Sequence, residues 1–186
     1  MAITLTGNTG ITTPAEGIAT STFRNGGVIQ VVQTAETAAS VLNSGSAIAA
    51  DTDYTILSRT ITPATTSNQV LIMASIYLDV SGSNYDGTYL KLMRNSTQIC
   101  IADASGNRNR ASATFEKASV TNRPSHTSVH FLDTPGIAGS AVTYKINVID
   151  TSGSGPIVYF NRGSSDSDSD SYTNTVSTLI CMEVVA

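Results

Sequence analysis

Apolar and polar residues alternate along the chain from Val28 onward, in short runs that recur about every ten residues. Because successive side chains of a β-strand point to opposite faces, this period of two predicts strands. The clearest run spans residues 69–80, where every second residue is apolar. We predict about nine or ten strands, in the ranges 28–33, 54–62, 69–80, 88–94, 97–102, 111–117, 127–133, 141–149, 157–161 and 174–185.

The second face of the 69–80 run is polar over only part of its length. It passes from apolar at one end to polar at the other, through Leu71, Met73, Ser75, Tyr77 and Asp79. A strand that is buried on one face alone carries polar residues along its whole outer face. We therefore expect the apolar end of this face to contact another surface, such as that of a neighbouring subunit.

The spacing of the runs favours an all-β fold. We predict an antiparallel jelly-roll-like sandwich over residues 28–186, because helices do not alternate with the strands. Residues 1–27 hold isolated aliphatic residues among Thr, Gly, Asn and Pro, with no persistent period. Such a segment buries too little apolar surface to order itself, so we predict an extended N-terminal anchoring arm. Residues 36–42 are compatible with one or two helical turns, although Ser and Thr around them weaken that prediction.

Composition and charge narrow the classes of function. The 186 residues suffice for one domain with a core. Charged residues are only 13% and the net charge is −4, which argues against binding nucleic acid through its phosphates. Ser and Thr stand where outward strand positions would usually be charged, and uncharged sheet faces favour association with like surfaces. We predict a homo-oligomer, with a closed ring of three favoured and a monomer as the alternative.

The chain shows no signal for export or membrane insertion. Its N-terminus has neither a basic region nor a continuous apolar stretch, and its longest apolar run is far shorter than a membrane span. We therefore expect folding in the cytoplasm. Cys100 and Cys181 both lie in apolar runs, so we expect buried free thiols rather than a disulfide.

No pattern typical of an active site emerges. His126 and His130 are the only histidines, and on a strand their Cα atoms lie about 13 Å apart, too far to share a metal ion. Gly-Ser pairs occur without the nucleophile elbow, and neither phosphate-binding glycine pattern is present. We predict no catalytic, cofactor-binding or metal site, and a protein that is not an enzyme.

Two charged segments stand out. Asp166, Asp168 and Asp170 alternate with serines, and they predict either a calcium loop or, with more weight, a solvated polar loop between strands. Arg108 and Arg110, with Lys117 and Arg123 beyond them, form the main basic cluster. We expect this cluster to pair with the acidic loop of the same or an adjacent subunit.

Several blocks of the sequence, taken in order, resemble virion structural proteins of tailed phages, especially those of marine and cyanobacterial hosts. The blocks are 87–99 (GTYLKLMRNSTQI), 102–108 (ADASGNR), 130–135 (HFLDTP), 142–146 (VTYKI), 158–162 (VYFNR) and 177–183 (STLICME). The resemblance covers roughly residues 28–186 and implies a trimeric jelly roll, similar in outline to the complement C1q and tumour necrosis factor domains.

The resemblance implies a phage virion structural protein, assembled in the host cytoplasm and displayed on the particle as a homotrimer. Its arm would anchor to other virion proteins, and its outward loops would be available to host-surface glycans. Because only residues 1–27 precede the domain, without a long fibre shaft, a capsid decoration protein that stabilises the head is the alternative to a fibre or appendage. A depolymerase is the least favoured class. The expected apolar contacts of the arm are Ile3, Leu5, Ile11 and Ile18.

Overall fold

The computed structural model describes residues 26–81, 86–117 and 122–186. Residues 1–25 of the predicted arm, which include its four expected contact residues, lie outside the described ranges. Within these ranges the chain forms ten strands and no α-helix. The strands are β1 (Val28–Glu36), β2 (Ser40–Val41), β3 (Tyr54–Ile61), β4 (Gln69–Val80), β5 (Thr88–Arg94), β6 (Thr97–Ile99), β7 (Ser125–Asp133), β8 (Val142–Asp150), β9 (Val158–Phe160) and β10 (Ser177–Val184).

The strands form two antiparallel sheets that pack as a sandwich. With β2 and β9 set aside, the first of the other eight strands pairs with the last (β1 and β10), then β3 with β8, β4 with β7 and β5 with β6. This nested pairing is the topology of a jelly roll. One sheet has the order β3-β8-β5-β6, and the other contains β1, β10, β4 and β7, extended to six strands by β9 and β2. The predicted all-β sandwich is confirmed.

The core is built by the alternation that the sequence displays. In β4 every second residue from Val70 to Val80 is at most 1% exposed. Across the sandwich, four residues of β8 are fully buried: Val142, Tyr144, Ile146 and Val148. Each large apolar side chain buried in this way contributes about 1.5–3 kcal/mol relative to an exposed position. These two strands therefore hold the sheets together.

In β10 the burial pattern differs from a simple apolar alternation. The aligned set Thr178, Ile180, Met182 and Val184 faces outward, whereas Ser177, Leu179, Cys181 and Glu183 are buried. Glu183 is only 1% exposed, and its Oε1 accepts hydrogen bonds of 2.6 Å from the Ala64 N–H and from Asn68 Nδ2. Because these donors compensate the lost hydration, a carboxylate can occupy the inner face of the strand.

Two of the predicted elements do not form. Residues 111–117 do not form a strand, because a single isolated bridge, between Ala113 and Leu90, is their only strand-type pairing with β5. Residues 36–42 are not helical either. Asn161 Nδ2 donates to the Glu36 and Ala38 carbonyl oxygens at 2.8 and 3.1 Å, so these acceptors are used in tertiary contacts. A 3-10 turn follows at Leu42–Gly45.

Candidate assembly surface and loop clusters

The outer face of the six-stranded sheet carries rows of side chains that cross four strands. Cross-strand neighbours lie about 4.5–5.5 Å apart, so each row forms a continuous strip. From one end of the sheet, the rows are Val28-Val184-Gln69, Val31-Met182-Leu71-Leu132, Gln33-Ile180-Met73-His130 and Ala35-Thr178-Ser75-Ser128. We call these fifteen positions the sheet face. Its second row is wholly apolar.

The sheet face points away from the core and carries no Lys, Arg, Asp or Glu. Val31 is 56% exposed, Val28 47% and Leu132 46%. Leu71 and Met73, the apolar end of the face singled out in the sequence, lie at its centre and are half-buried. Exposed apolar residues that cluster across several strands make this face a candidate binding surface.

Both histidines lie on the outer side of β7, at the margin of the sheet face. His126 and His130 are exposed. The His126 Nε2 atom lies 2.9 Å from Ser75 Oγ, and its ring centroid lies 4.8 Å from that of Tyr77. These contacts fix the ring of His126 against β4.

The acidic loop contains its own cation. Asp166 forms an ion pair with Arg162, whose guanidinium lies 5.2 Å from the centroid of the Tyr159 ring. Asp168 and Asp170 are exposed. Among the described residues, no group of three or more His, Cys, Asp or Glu side chains has the geometry of a metal site.

The basic cluster is bound to its own loop. Arg108 Nη1 donates to Ser105 Oγ at 3.4 Å, and Arg110 Nε donates to the Ala102 carbonyl oxygen at 2.7 Å. Within the chain, Asp166 of the acidic loop therefore pairs with Arg162, whereas the sequence pointed to Arg108 and Arg110 as the cations for this loop. Pairing of Arg108 and Arg110 with the acidic loop of another copy stays a prediction.

Both cysteines are free, as predicted, but their burial differs. Cys181 is fully buried in β10, whereas Cys100 is partly exposed, so the prediction of burial is only partly right for Cys100. Burial raises the pKa of the Cys181 thiol to about 12, which the charge of Arg59 lowers only in part. Burial also raises the pKa of Cys100.

We expect a disulfide-exchange reagent to titrate one thiol in the folded protein and two after denaturation, because only the thiolate reacts. The Cys100→Ser variant should show no reaction until it unfolds. Rapid reaction of Cys181 in the folded Cys100→Ser variant would contradict this assignment. Absorbance of the released thiolate gives the measurement.

Asp150, at the end of β8, closes the loop that follows it. Its side chain accepts hydrogen bonds from the Ser152 N–H and hydroxyl at 3.0 and 2.7 Å, and from the Gly155 N–H at 3.1 Å. Burial alone would raise the pKa of Asp150, but these hydrogen bonds favour the charged form and hold the pKa below its ordinary value of 3.8.

We expect Asp150→Asn to lower the free energy of unfolding by about 1–3 kcal/mol at neutral pH, because an amide replaces a hydrogen-bonded carboxylate. Since the folded pKa lies below the unfolded one, the stabilisation is complete above about pH 3.8 and is lost as the pH falls through the folded value. Urea unfolding of both proteins between neutral and acidic pH measures this. An equal difference at every pH would contradict the assignment.

A cleft opens between the end of β1, the 3-10 turn and the start of β3. Its volume is about 290 Å³, and its lining includes Glu36, Asn43, Tyr54 and Phe160. Sequence analysis missed these residues, because they come from separate elements that only the fold brings together. The positive φ of Asn43 leaves no pattern in the sequence beyond an Asn-Ser-Gly turn.

No protein-family model matches the sequence, and comparison with the curated proteins yields no match. Within the part of the chain that the structure describes, no helix is long and apolar enough to cross a membrane. The two candidate sites, the sheet face and the cleft, therefore rest on the geometry of this chain.

Proposed function

We propose that the protein is a structural component of a tailed-phage virion, displayed on the particle surface as a homotrimer. It would act by association and adhesion, without turnover. The observation that supports this most directly is the exposed, charge-free sheet face, because contiguous apolar surface of this kind is typical of protein–protein interfaces. The sequence resemblance to phage virion proteins supplies the biological setting.

The dimensions of the sheet face suit an interface between copies of this chain. Four strands at a spacing of about 4.8 Å, each about nine residues long, cover roughly 570 Å². In a ring of three, each copy would divide this area between two neighbours, so each contact would bury about 570 Å² in total and the whole ring about 1,700 Å², the size of a standard interface. We favour a second copy of the chain as the partner, because the face carries no charge that would attract a charged protein. Every other copy supplies an identical apolar surface.

Assembly into a ring of three requires two different patches on each copy. The sheet face provides them, since the apolar second row runs from Val31 on edge strand β1 to Leu132 on edge strand β7. The β1–β10 half of one copy would pack against the β4–β7 half of the next. After three copies the ring would close around the uncharged rows.

The proposed anchor enters beside this surface. The Gly26 N–H donates to the Val185 carbonyl oxygen at 2.7 Å, and the Val185 N–H donates to the Gly27 carbonyl oxygen at 2.9 Å. The described part of the chain therefore begins next to the end of β10. In the proposal, the aliphatic side chains of residues 1–25 bind other proteins of the particle.

Immunogold electron microscopy of purified particles of the phage whose genome encodes this protein tests the proposal. We expect gold on the particle surface in groups that reflect threefold copies. Gold at the tail or neck would assign the fibre or appendage form, and gold over the head would assign the capsid decoration form. Purified particles that lack the protein would contradict the proposal.

A further inference from the structure

We propose that the cleft beside the 3-10 turn binds a single neutral sugar ring. Its floor is apolar and aromatic, with Phe160 only 3% exposed and Tyr54 and Ile56 partly buried. The Tyr54 ring is fixed, because its hydroxyl accepts a hydrogen bond of 3.0 Å from the Ala49 N–H. A rigid apolar floor of this kind suits the C–H face of a pyranose.

The rim of the cleft presents hydrogen-bond acceptors. Glu36 uses Oε1 to accept from the Ala38 N–H at 3.0 Å, and Asn43 uses Nδ2 to donate to the Ala47 carbonyl oxygen at 2.7 Å. Each side chain is thereby held in place by one atom. Among the described residues, none donates to Glu36 Oε2 or Asn43 Oδ1, so both oxygens are available to hydroxyl donors of a ligand.

The backbone at the rim is strained. Asn43 and Ser44 are consecutive non-glycine residues in the left-handed region, with φ of 51° and 53°. Such conformations concentrate where a side chain must be held in a functional position. Here the strained pair turns the chain so that Asn43 lines the cleft opposite β3.

Size and charge favour a small uncharged sugar over an acidic one. A volume of about 290 Å³ is at the lower end of small-molecule sites and is enough for one sugar ring. Glu36 is the only charged residue that lines the described cleft, so an acidic sugar would meet a like charge. Sugar hydroxyls supply the donors that Glu36 and Asn43 lack.

This inference deepens the proposed function. It rests on that function only for the source of the sugar, which would be a host surface. Saturation-transfer difference NMR on the full-length protein tests it directly. The probes are the methyl glycosides of glucose, galactose, mannose and N-acetylglucosamine, with methyl glucuronide as the acidic comparison. We expect saturable binding of at least one neutral glycoside at millimolar concentration, and at least tenfold weaker binding of methyl glucuronide.

Two variants assign the binding to the cleft. Glu36→Gln keeps an acceptor for the Ala38 N–H but places an amide at the rim, and it should weaken binding about tenfold or more. Asn43→Gly suits the left-handed backbone and removes the side-chain acceptor, so it should weaken binding as well. Glu116→Gln, at an exposed position away from the cleft, is the matched control and should bind like the wild type.

Absence of saturable binding by all four neutral glycosides would overturn the inference. Equal affinity of Glu36→Gln, Glu116→Gln and the wild type would also overturn it, as would a preference for methyl glucuronide. The mass of the assembly in solution is independent of the cleft. Failure of sugar binding with an intact trimer is therefore distinguishable from failure of the proposed function.

Discussion

Replacing Leu71 with Glu is expected to convert the proposed trimer into monomers while leaving the sandwich folded. Leu71 lies near the centre of the sheet face, between Met182 and Leu132. A carboxylate buried there between copies would have no cation to compensate it, at a cost of about 3–5 kcal/mol per contact. Association would weaken by roughly 100- to 1,000-fold or more at each contact. Light scattering coupled to size-exclusion chromatography measures the mass.

The matched control adds the same charge to the other sheet. Ser58 is exposed on β3, opposite Lys145 of β8, so Ser58→Glu gains an oppositely charged neighbour. We expect Ser58→Glu to keep the mass of the wild type. Far-ultraviolet circular dichroism should show the same β-sheet spectrum for both variants. If the Leu71→Glu protein is folded and still has the wild-type mass, the sheet face is not the interface between copies.

The largest loss of stability is expected from Asp133→Ala. Asp133 is 6% exposed at the end of β7, and its Oδ2 accepts a hydrogen bond of 2.7 Å from the hydroxyl of the fully buried Tyr144. Arg94 Nη1 donates to both carboxylate oxygens, at 3.0 and 3.1 Å. Burial, and then the hydrogen bond and charge of Asp133, raise the pKa of Tyr144, so its proton stays in place. Removing the carboxylate leaves the Arg94 guanidinium and the Tyr144 hydroxyl without their partner. The free energy of unfolding should fall by about 3–5 kcal/mol.

Two further variants distinguish the loss of this hydrogen-bond network from the general effect of shortening a side chain. Tyr144→Phe leaves the ion pair of Arg94 and Asp133 intact and should cost about 1–2 kcal/mol. Asp168→Ala, in the exposed acidic loop, should change the free energy of unfolding by about 0.5 kcal/mol or less. Urea unfolding at neutral pH gives all three values. A smaller loss for Asp133→Ala than for Tyr144→Phe would contradict the role assigned to the carboxylate.

The strands were predictable wherever burial follows a period of two. The limits of β4 agree with the alternation, because its inner face is apolar throughout. Burial in β5 does not alternate, and its limits follow instead from the turns on either side of it. Buried carboxylates were not predictable. From the sequence alone, Glu183 and Asp133 would be placed on the outer face of their strands. The groups that donate hydrogen bonds to their carboxylates belong to distant residues, such as Asn68 and Arg94, that only the fold brings close.

The candidate sites show the same division. Leu71 and Met73 could be singled out, because they interrupt the polar face of a strand whose other face is already apolar. Their neighbours Val31 and Leu132 required the register of three strand pairs. The cleft had no signal in the sequence, since its walls come from distant segments and its rim depends on two left-handed residues.

Hydroxyl-radical footprinting of the two methionines on the sheet face tests most directly whether identical copies cover it. Met73 and Met182 are half-buried in one chain, and Tyr172 in the acidic loop provides an internal reference away from the face. We predict that both methionines are oxidised several-fold more slowly in the wild-type protein than in Leu71→Glu, with Tyr172 unchanged. Equal oxidation of Met73 and Met182 in the two proteins would contradict the account.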